Sequence, residues 1–316
     1  MTSLADRMAH GPVVLDGGLA TLLEAHGHNL SSALWSARLL ADRPAAITAA
    51  HQEYFEAGAQ VAITSSYQAS FEGFAELGFD VAQTADLLRR SVRLARAGAD
   101  LAGSDGHHAP PERWVAASVG PYGAALADGS EYRGDYGLTV AQLRAWHRPR
   151  LEILADAGAD LLALETIPCL AEAEALLAEV EELGVPAWLS MTCTDGRTRA
   201  GERVEDAFAL AGDVASVVAV GVNCVDSVEA ADLVSVAVES SRKPAVVYPN
   251  SGETWDAISR SWGGRATFGP EHAAVWVAAG ARLVGGCCRV GPRAIRTLAR
   301  SAPGWPAGDS GSVSSR

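Results

Sequence analysis

Two adjacent cysteines follow an apolar strand and two glycines in the stretch Leu283-Val284-Gly285-Gly286-Cys287-Cys288-Arg289. Neighbouring residues of a regular strand point to opposite faces, so two thiols can converge only where the strand ends and the backbone bends. We expect Gly285 and Gly286 to allow this bend, because glycine reaches backbone angles closed to other residues. A third cysteine, Cys224, follows another hydrophobic run at 217–222. Three thiolates from two strand ends predict an open zinc site, with its fourth position left for water or substrate.

The rest of the chain alternates between strand and helix patterns. Short, almost continuously apolar runs predict eight strands, at 12–15, 60–64, 114–119, 160–165, 186–191, 217–222, 245–248 and 282–284. Helical spacing predicts helices at 44–57, 80–99, 139–157, 170–183, 204–211, 227–240, 270–279 and 292–299. Strands of this kind, most of them followed by a helix, are typical of a (β/α)8 TIM barrel. An open doubly wound sheet is the alternative, but no G-x-G-x-x-G turn follows the first strand.

The pattern places the whole barrel in one domain. We expect residues 1–300 to form this single (β/α)8 domain, since no clear boundary divides them. The chain has 316 residues, of which 48% are hydrophobic, and this is ample for one large core. Residues 301–316 are rich in Ser, Gly and Pro, which predicts a disordered C-terminal tail.

Charge and cysteine content exclude several classes of function. The net charge is −13, from 25 basic and 38 acidic residues, which argues against binding to nucleic acid or to anionic membranes. No apolar run approaches the ~20 residues of a membrane helix, and the first residues lack the features of a signal peptide, so we expect a cytoplasmic protein. Five cysteines cannot all be paired within one chain. In a reducing compartment such cysteines are metal ligands, nucleophiles or core residues.

The barrel fold predicts that polar residues from several strand ends share one rim. Active sites of such barrels lie at the carboxyl ends of the strands. Asp16, Glu165 and the three cysteines all stand at such ends. Two further strands are followed by Thr64-Ser65-Ser66-Tyr67 and by Tyr248-Pro249-Asn250. Residues far apart in the sequence are therefore expected to meet at one site.

Each of these residues also has a simpler interpretation. Cys287 and Cys288 could be small buried residues or a strained vicinal disulfide. Asp16 could cap the helix after the first strand. Glu165 ends a mostly apolar strand, where a carboxylate needs a backbone donor or a ligand amine. The polar segment 128–136 is either a solvated loop or a lid over the rim.

The remaining cysteines and the helical histidines are weaker candidates for zinc ligands. Cys169 lies at a helix start and Cys193 just past the fifth strand, and we expect both to be structural. His51, His147 and His272 lie within helical stretches, where core or surface positions are the expected roles.

A zinc ion with three thiolate ligands suits a particular chemistry. Three sulfur ligands put much negative charge on the metal, which makes it a weak Lewis acid towards carbonyl groups. It can still bind another thiol, lower its pKa and hold it as a nucleophilic thiolate near neutral pH. The residues alone therefore predict a zinc-thiolate enzyme whose substrate is a thiol.

The motifs at the strand ends resemble those of the homocysteine S-methyltransferase family. They are Asp16-Gly17-Gly18-Leu19-Ala20-Thr21, Thr64-Ser65-Ser66-Tyr67-Gln68-Ala69-Ser70, Gly120-Pro121-Tyr122-Gly123-Ala124, Glu165-Thr166-Ile167-Pro168, Val222-Asn223-Cys224, Tyr248-Pro249-Asn250-Ser251-Gly252 and Gly285-Gly286-Cys287-Cys288-Arg289. The resemblance runs in order through residues 12 to 300 and implies a zinc-containing (β/α)8 barrel.

The resemblance also implies the roles of the site residues. Zn²⁺ is expected on Cys224, Cys287 and Cys288, with the homocysteine sulfur as an incoming ligand. Asp16 and Glu165 are expected to hold the amino-acid end of homocysteine, beside the backbone of Gly17. The further residues expected to contact substrate are Ser66, Tyr67, Asn223 and Asn250.

The resemblance favours a sulfonium compound as the methyl donor. S-methylmethionine, or S-adenosylmethionine, would transfer its methyl group to the zinc-bound thiolate and give methionine. The alternatives within this class are a betaine donor or selenocysteine as the acceptor. Outside it, a zinc-dependent lyase or hydrolase is disfavoured, because hydrolytic zinc usually has His and carboxylate ligands. A purely structural zinc clip would need a fourth protein ligand, for which Cys193 is the candidate.

Overall fold

Eight parallel strands form the centre of the computed structural model, which describes residues 2–30, 35–103, 112–256 and 261–301. The strands are β1 (Val13–Val14), β2 (Val61–Ile63), β3 (Trp114–Val119), β4 (Leu161–Ile167), β5 (Ala187–Met191), β6 (Val217–Asn223), β7 (Ala245–Tyr248) and β8 (Ala281–Val284). Each strand pairs with the next one along the chain, and β8 pairs with β1. A parallel bridge between Leu15 and Val61 joins β1 to β2 and completes the ring. The predicted (β/α)8 barrel is confirmed.

Helices surround the strands. They are α1 (Leu4–Ala9), α2 (Leu19–Ala25), α3 (Leu39–Asp42), α4 (Pro44–Glu56), α5 (Phe71–Glu76), α6 (Val81–Ala102), α7 (Tyr122–Leu126), α8 (Val140–Asp156), α9 (Leu170–Leu183), α10 (Val204–Gly212), α11 (Ala230–Ser241), α12 (Pro270–Ala278) and α13 (Pro292–Ser301). Short 3-10 helices span Trp35–Arg38 and Ser130–Tyr132. Antiparallel hairpins pair Cys193–Thr194 with Arg197–Thr198, and Thr254–Asp256 with Ser261–Gly263.

Local sequence signals set the ends of the long helices. Asp80 and Thr139 precede α6 and α8, and each forms a reciprocal capping box with a glutamine three residues later. Gly184 ends α9 in the left-handed conformation at φ 63°. The predicted start of α11 at residue 227 is wrong by three residues. The turn that follows Cys224 continues through residue 229. Within this turn the side chain of Asp226 accepts a hydrogen bond from the backbone of Val228.

The strands are buried on both faces, which explains their continuous apolar runs. One face packs inside the barrel and the other against the helices. The interior cluster contains Val13, Leu15, Val61, Trp114, Ala116, Leu161, Ala163, Trp188, Ala219, Val246, Tyr248 and Leu283. Leu4 and Met8 of α1 join this cluster, so α1 packs on the amino-terminal end of the barrel and leaves the carboxyl ends for the site.

Two further expectations concern the chain as a whole. The predicted tail at 301–316 lies outside the described residues, apart from Ser301 at the end of α13. Within the described ranges, every helix is too short or too polar to cross a membrane.

Candidate metal and substrate site

A cavity of about 110 Å³ opens at the carboxyl ends of the strands. Seven of the ten predicted site residues line it, namely Gly17, Tyr67, Glu165, Asn223, Cys224, Cys287 and Cys288. Asp16, Ser66 and Asn250 are not among the lining residues. The remaining lining residues are Gly18, Leu19, Ala20, Thr21, Ile63, Thr64, Ser65, Glu131, Tyr132, Thr166, Tyr248 and Gly286.

The three predicted cysteines meet at one wall of this cavity. Their sulfur atoms all lie within 4.8 Å of one another, and the Sγ atoms of Cys224 and Cys287 are 2.7 Å apart. A disulfide bond is about 2.05 Å long, and all three residues are free thiols, so the vicinal disulfide is not formed. Two sulfur ligands at ~2.3 Å from a tetrahedral zinc ion lie about 3.8 Å apart. The three thiols are therefore close enough together to reach one metal ion, and Cys224 and Cys287 would move apart to bind it.

The glycines before the cysteines have a different role from the predicted one. Neither Gly285 nor Gly286 has a positive φ, whereas Cys224 and Arg289 do, at 52° and 62°. A Cβ atom on Gly285 would lie 2.6 Å from the Cβ of Leu15, and one on Gly286 would overlap the side chain of Val290. The two glycines therefore permit close packing, and the bend is made by residues that are not glycine.

Hydrogen bonds from β7 and the residues after it hold the cysteine segment. The Cys287 N–H donates to the carbonyl oxygen of Pro249 at 2.7 Å, and the Cys288 N–H donates to Oδ1 of Asn250 at 3.1 Å. The Cys288 carbonyl accepts a hydrogen bond from the backbone of Ser251 at 3.0 Å. In this structure Asn250 therefore positions Cys288, and it does not line the cavity.

Asn223 has a comparable supporting role beside Cys224. Thr166 adopts a left-handed conformation at φ 60°, which costs free energy in a residue with a branched Cβ. Asn223 Oδ1 accepts from the backbone of Thr166 at 2.7 Å and from the Ser190 hydroxyl at 2.8 Å. Its amide nitrogen donates to Thr166 Oγ1 at 2.7 Å. The Asn223 side chain therefore fixes the backbone just after Glu165.

Glu165 is a buried acid with two neutral donors. Its carboxylate accepts hydrogen bonds from the hydroxyls of Ser118 and of Tyr248, the latter at 3.1 Å. Burial, and the nearby Cys224 as a smaller contribution, raise the pKa of Glu165 to about 7. A bound cation would remove this cost of burial, so the carboxylate is suited to a ligand amine.

Asp16 is buried next to Glu165. Its Oδ2 accepts a hydrogen bond from the backbone of Ile63 at 2.9 Å, while its Oδ1 has no partner among the described residues. Burial raises the pKa of Asp16 well above its usual value, and the charge of Glu165 adds to the shift. Gly18 is the N-cap of α2 and no side chain caps that helix, so Asp16 does not have the simpler capping role.

The backbone that follows β1 approaches the cysteine segment closely. A Cβ atom on Gly17 would overlap the carbonyl oxygen of Val290, and the backbone of Gly18 donates to that same oxygen at 3.0 Å. Both glycines line the cavity. Any larger residue at position 17 would separate the first strand from the cysteines.

The segment after β2 contributes Ser65 to the cavity, a residue that was not among the predicted substrate contacts. Ser66 is buried and donates to the Ser118 carbonyl at 2.7 Å, so it supports β3. Ser65 instead lines the cavity, and its buried hydroxyl has no partner among the described residues. Residues 65–68 form a turn, so the alternation of a strand could not have distinguished the two serines.

The predicted lid segment also reaches the cavity. Glu131 and Tyr132 line it, from the 3-10 turn that follows α7. The guanidinium carbon of Arg199 lies 5.5 Å from the centre of the Tyr132 ring.

The two other cysteines stand apart from the cluster, and burial raises the pKa of both Cys169 and Cys193 to about 12.

Comparison with known proteins identifies the family. A family model described as homocysteine S-methyltransferase matches residues 13–302. A homocysteine S-methyltransferase of Escherichia coli (strain K12) is 46% identical over 90% of this chain and 94% of its own length. Homocysteine S-methyltransferase 4 of Zea mays is 45% identical, over 93% and 90% of the two chains. A selenocysteine methyltransferase of Astragalus bisulcatus is 42% identical, over 90% of each.

The same relationship is found among solved structures. The metallated form of the homocysteine methyltransferase MmuM from Escherichia coli superimposes with a TM-score of 0.83. It is 42% identical in sequence and the match covers 92% of this chain and 96% of that one. The resemblance inferred from the motifs is therefore confirmed: this chain is a methyltransferase that belongs to the homocysteine S-methyltransferase family.

Proposed function

We propose that this protein transfers a methyl group from S-methylmethionine to the thiol of L-homocysteine, with a zinc ion held by Cys224, Cys287 and Cys288. The observation that carries the proposal is the convergence of three free thiols within 4.8 Å at the wall of the rim cavity. S-adenosylmethionine is the alternative donor.

The ligand set supports zinc. Thiolates are soft ligands that favour zinc among the common divalent ions, and three protein ligands leave a fourth position open. Zinc bound here would take the substrate thiol as its fourth ligand and keep it deprotonated near neutral pH. No separate general base is then required, so the main task of the chain is alignment of donor and acceptor.

The two buried acids provide a site for the ammonium group of homocysteine. Glu165 offers a carboxylate with only neutral donors, and Asp16 offers an oxygen without a partner among the described residues. Asp16 does not line the cavity. For its carboxylate to contact the ammonium group, the substrate would have to reach past Gly17 and Ile63. With its amino group held there, the homocysteine sulfur would extend towards the cysteines.

The remaining predicted residues are assigned by their positions. We assign direct contact with substrate to Tyr67 and to the backbone of Gly17, which line the cavity. Ser66, Asn223 and Asn250 hydrogen-bond to backbone groups of the site, and we assign them the positioning of its strand ends.

Selenocysteine is a second candidate acceptor. The observation in its favour is the similarity to the Astragalus bisulcatus selenocysteine methyltransferase. A selenol would occupy the same position as the homocysteine thiol. A betaine donor has no comparable relative among those described above.

Two broader features follow from the same proposal. A cluster of reduced thiols is maintained most readily in a reducing compartment, so we propose a cytoplasmic location. The first strand, β1, pairs with the last, β8, in one barrel. We therefore propose that the range 1–300 is a single domain.

The test is methionine formation from homocysteine by the purified, zinc-loaded and reduced protein. S-methylmethionine, S-adenosylmethionine and betaine are supplied in separate reactions, and selenocysteine replaces homocysteine in a further series. We expect most product with S-methylmethionine, and loss of product after treatment with a chelator that recovers on addition of zinc. Absence of methionine with all three donors would refute the proposal.

A further inference from the structure

A short turn of the segment between β3 and β4 brings an acid and an aromatic ring into the cavity. Glu131 and Tyr132 belong to the 3-10 helix Ser130–Tyr132. The turn is fixed at its start, where the backbone of Ser130 donates to Oδ1 of Asp128 at 2.9 Å. It also packs tightly on α7, since a Cβ atom on Gly123 would lie 2.5 Å from the backbone nitrogen of Glu131. The backbone that carries the two side chains is therefore held in place from behind.

Glu131 presents a carboxylate oxygen that lacks a partner. Its Oε2 is buried and has no hydrogen-bond partner among the described residues. Burial raises the pKa of Glu131, and the charge of Asp128 contributes to the shift. A buried carboxylate is costly unless a cation or a donor compensates it. Such an oxygen at the wall of a cavity indicates a ligand that carries a positive charge.

Two aromatic rings line the same cavity. Tyr67 reaches it from the segment after β2, and Tyr132 follows Glu131 directly. The faces of such rings attract cations. The Arg199 guanidinium at 5.5 Å shows that one face of the Tyr132 ring already engages a positive charge. An acid beside aromatic rings is a suitable environment for an alkylated cation, which has few hydrogen bonds to offer.

This acid is distinct from the pair that faces the homocysteine ammonium. Glu131 lies on the 3-10 helix Ser130–Tyr132 after α7, whereas Asp16 follows β1 and Glu165 lies in β4. Glu131 therefore comes from a different segment than the other acidic pair. The cavity has two separate acidic groups, as a reaction between two substrates that each carry a positive charge requires.

We propose that Glu131, together with the rings of Tyr67 and Tyr132, binds the positively charged methylsulfonium group of the donor. This inference rests on the proposed function and names the donor half of the site. During transfer the bond between the methyl carbon and the donor sulfur breaks, and its electron pair stays on that sulfur. A new bond forms from the homocysteine thiolate to the same carbon. Donor and acceptor both become methionine, and neither sulfur is then charged.

The disappearance of charge determines what Glu131 contributes. The carboxylate attracts the sulfonium fully before the reaction and less in the transition state, where the positive charge is already diminishing. An interaction that is stronger in the ground state than in the transition state lowers KM without raising kcat. It also distinguishes donor from product, because methionine lacks the charge and leaves the site. Glu131 is therefore a specificity residue for a cationic donor.

The test compares Glu131→Gln with the wild-type protein, and with Asp135→Asn as a matched control. Asp135 lies on the same segment and its side chain is 76% exposed, so its variant removes one charge of the same sign outside the cavity. Zinc content and melting temperature are measured first, to establish that all three proteins are folded and loaded. Kinetics are then measured with S-methylmethionine and homocysteine varied separately, and methionine is used as an inhibitor competing with the donor.

For Glu131→Gln we expect the KM for S-methylmethionine to rise about tenfold, the usual size of a lost charge contact. The KM for homocysteine should stay within about twofold, kcat should not fall, and inhibition by methionine should be unchanged. The inference is overturned if the KM for the donor is unchanged, if inhibition by methionine weakens to the same extent, or if Asp135→Asn has the same effect. Wild-type protein that makes no methionine from S-methylmethionine would instead refute the proposed function, and the donor site with it.

Discussion

Two buried glutamates in the same part of the barrel, Glu165 and Glu179, have opposite surroundings. Glu165 ends in the rim cavity, and its partners among the described residues are the hydroxyls of Ser118 and Tyr248. Glu179 on α9 is 1% exposed and is held by two guanidinium groups, that of Arg144 at 2.6 Å and that of Arg148 at 2.9 Å. One carboxylate still needs a cation, whereas the other has two.

The difference separates binding from stability. A carboxylate with cationic partners from a neighbouring helix holds α8 and α9 together. A carboxylate buried without one makes folding less favourable and makes cation binding more favourable. The thiols show the same division, since Cys224, Cys287 and Cys288 converge while Cys193 stands apart in the core. Each pair therefore provides a site variant and a matched control of the same residue type.

The largest effect is expected at the thiols. Cys288→Ser removes one of the three proposed sulfur ligands, so we expect zinc binding to be lost and methyl transfer to fall by about 1000-fold or more. Cys193→Ala should retain its zinc and most of its activity, although the small cavity lowers stability by about 1 kcal/mol. Metal content by elemental analysis and initial rates measure both outcomes. Loss of zinc from the Cys193 variant would show that the fourth ligand belongs to the protein.

The next effect is expected at Glu165. Glu165→Gln removes the charge proposed to face the homocysteine ammonium, so we expect the KM for homocysteine to rise about 30-fold. Because the lost charge was buried without a cation, the free energy of unfolding should stay the same or increase. Steady-state kinetics and denaturant unfolding are measured on one preparation. A variant that is both destabilised and normal in its KM would assign Glu165 to the core.

Glu179→Gln should behave in the reverse manner. It leaves Arg144 and Arg148 with a weaker partner. We expect the free energy of unfolding to fall by about 2 kcal/mol, because hydrogen bonds to charged groups contribute more to stability than neutral ones. The arginines are partly exposed, and solvent limits the loss. The KM values should stay within about twofold. Equal effects on KM at positions 165 and 179 would contradict the division drawn between them.

Patterns along the chain predicted the strands, the rim and the convergence of the three cysteines, because each depends on local periodicity and on one rule of barrel geometry. The left-handed backbone of Thr166 and Cys224 was not predicted, since neither residue type favours it and its support comes from Asn223 or the following turn. The glycines at 285 and 286 were correctly placed at the bend but given the wrong reason. Gly285 contacts Leu15 at the end of the neighbouring strand β1, and Gly286 contacts Val290 just beyond the cysteines.

The acids of the site were predicted unevenly for the same reason. Glu165 interrupts an apolar strand, so its burial could be inferred from the sequence. Glu131 lies in a polar segment, where an acid is expected to be exposed, and only the packing of that segment over α7 brings it to the cavity. Contacts between distant segments decide such cases, and a pattern of neighbouring residues does not contain them.

The smallest effect is the pH dependence of stability. Burial raises the pKa of Glu165 to about 7 in the folded, ligand-free protein, whereas an unfolded Glu has a pKa of about 4.3. Between these values the folded protein holds a proton that the unfolded chain has lost. The contribution of this proton to stability is therefore complete below about pH 4 and is lost as the pH rises through about 7.

Comparison of the wild-type protein with Glu165→Gln isolates the contribution of Glu165 to the pH dependence, because the other titrating groups are shared. Between pH 6 and pH 8 the wild-type free energy of unfolding should fall by about 1 kcal/mol more than that of the variant, including the part transmitted through Asp16. Glu179→Gln should change with pH as the wild type does. Saturation with homocysteine should abolish the excess fall, because the ammonium group then stabilises the ionised carboxylate. Parallel curves for the wild type and the Glu165 variant would mean that the carboxylate is already ionised in the free protein and has a cationic partner.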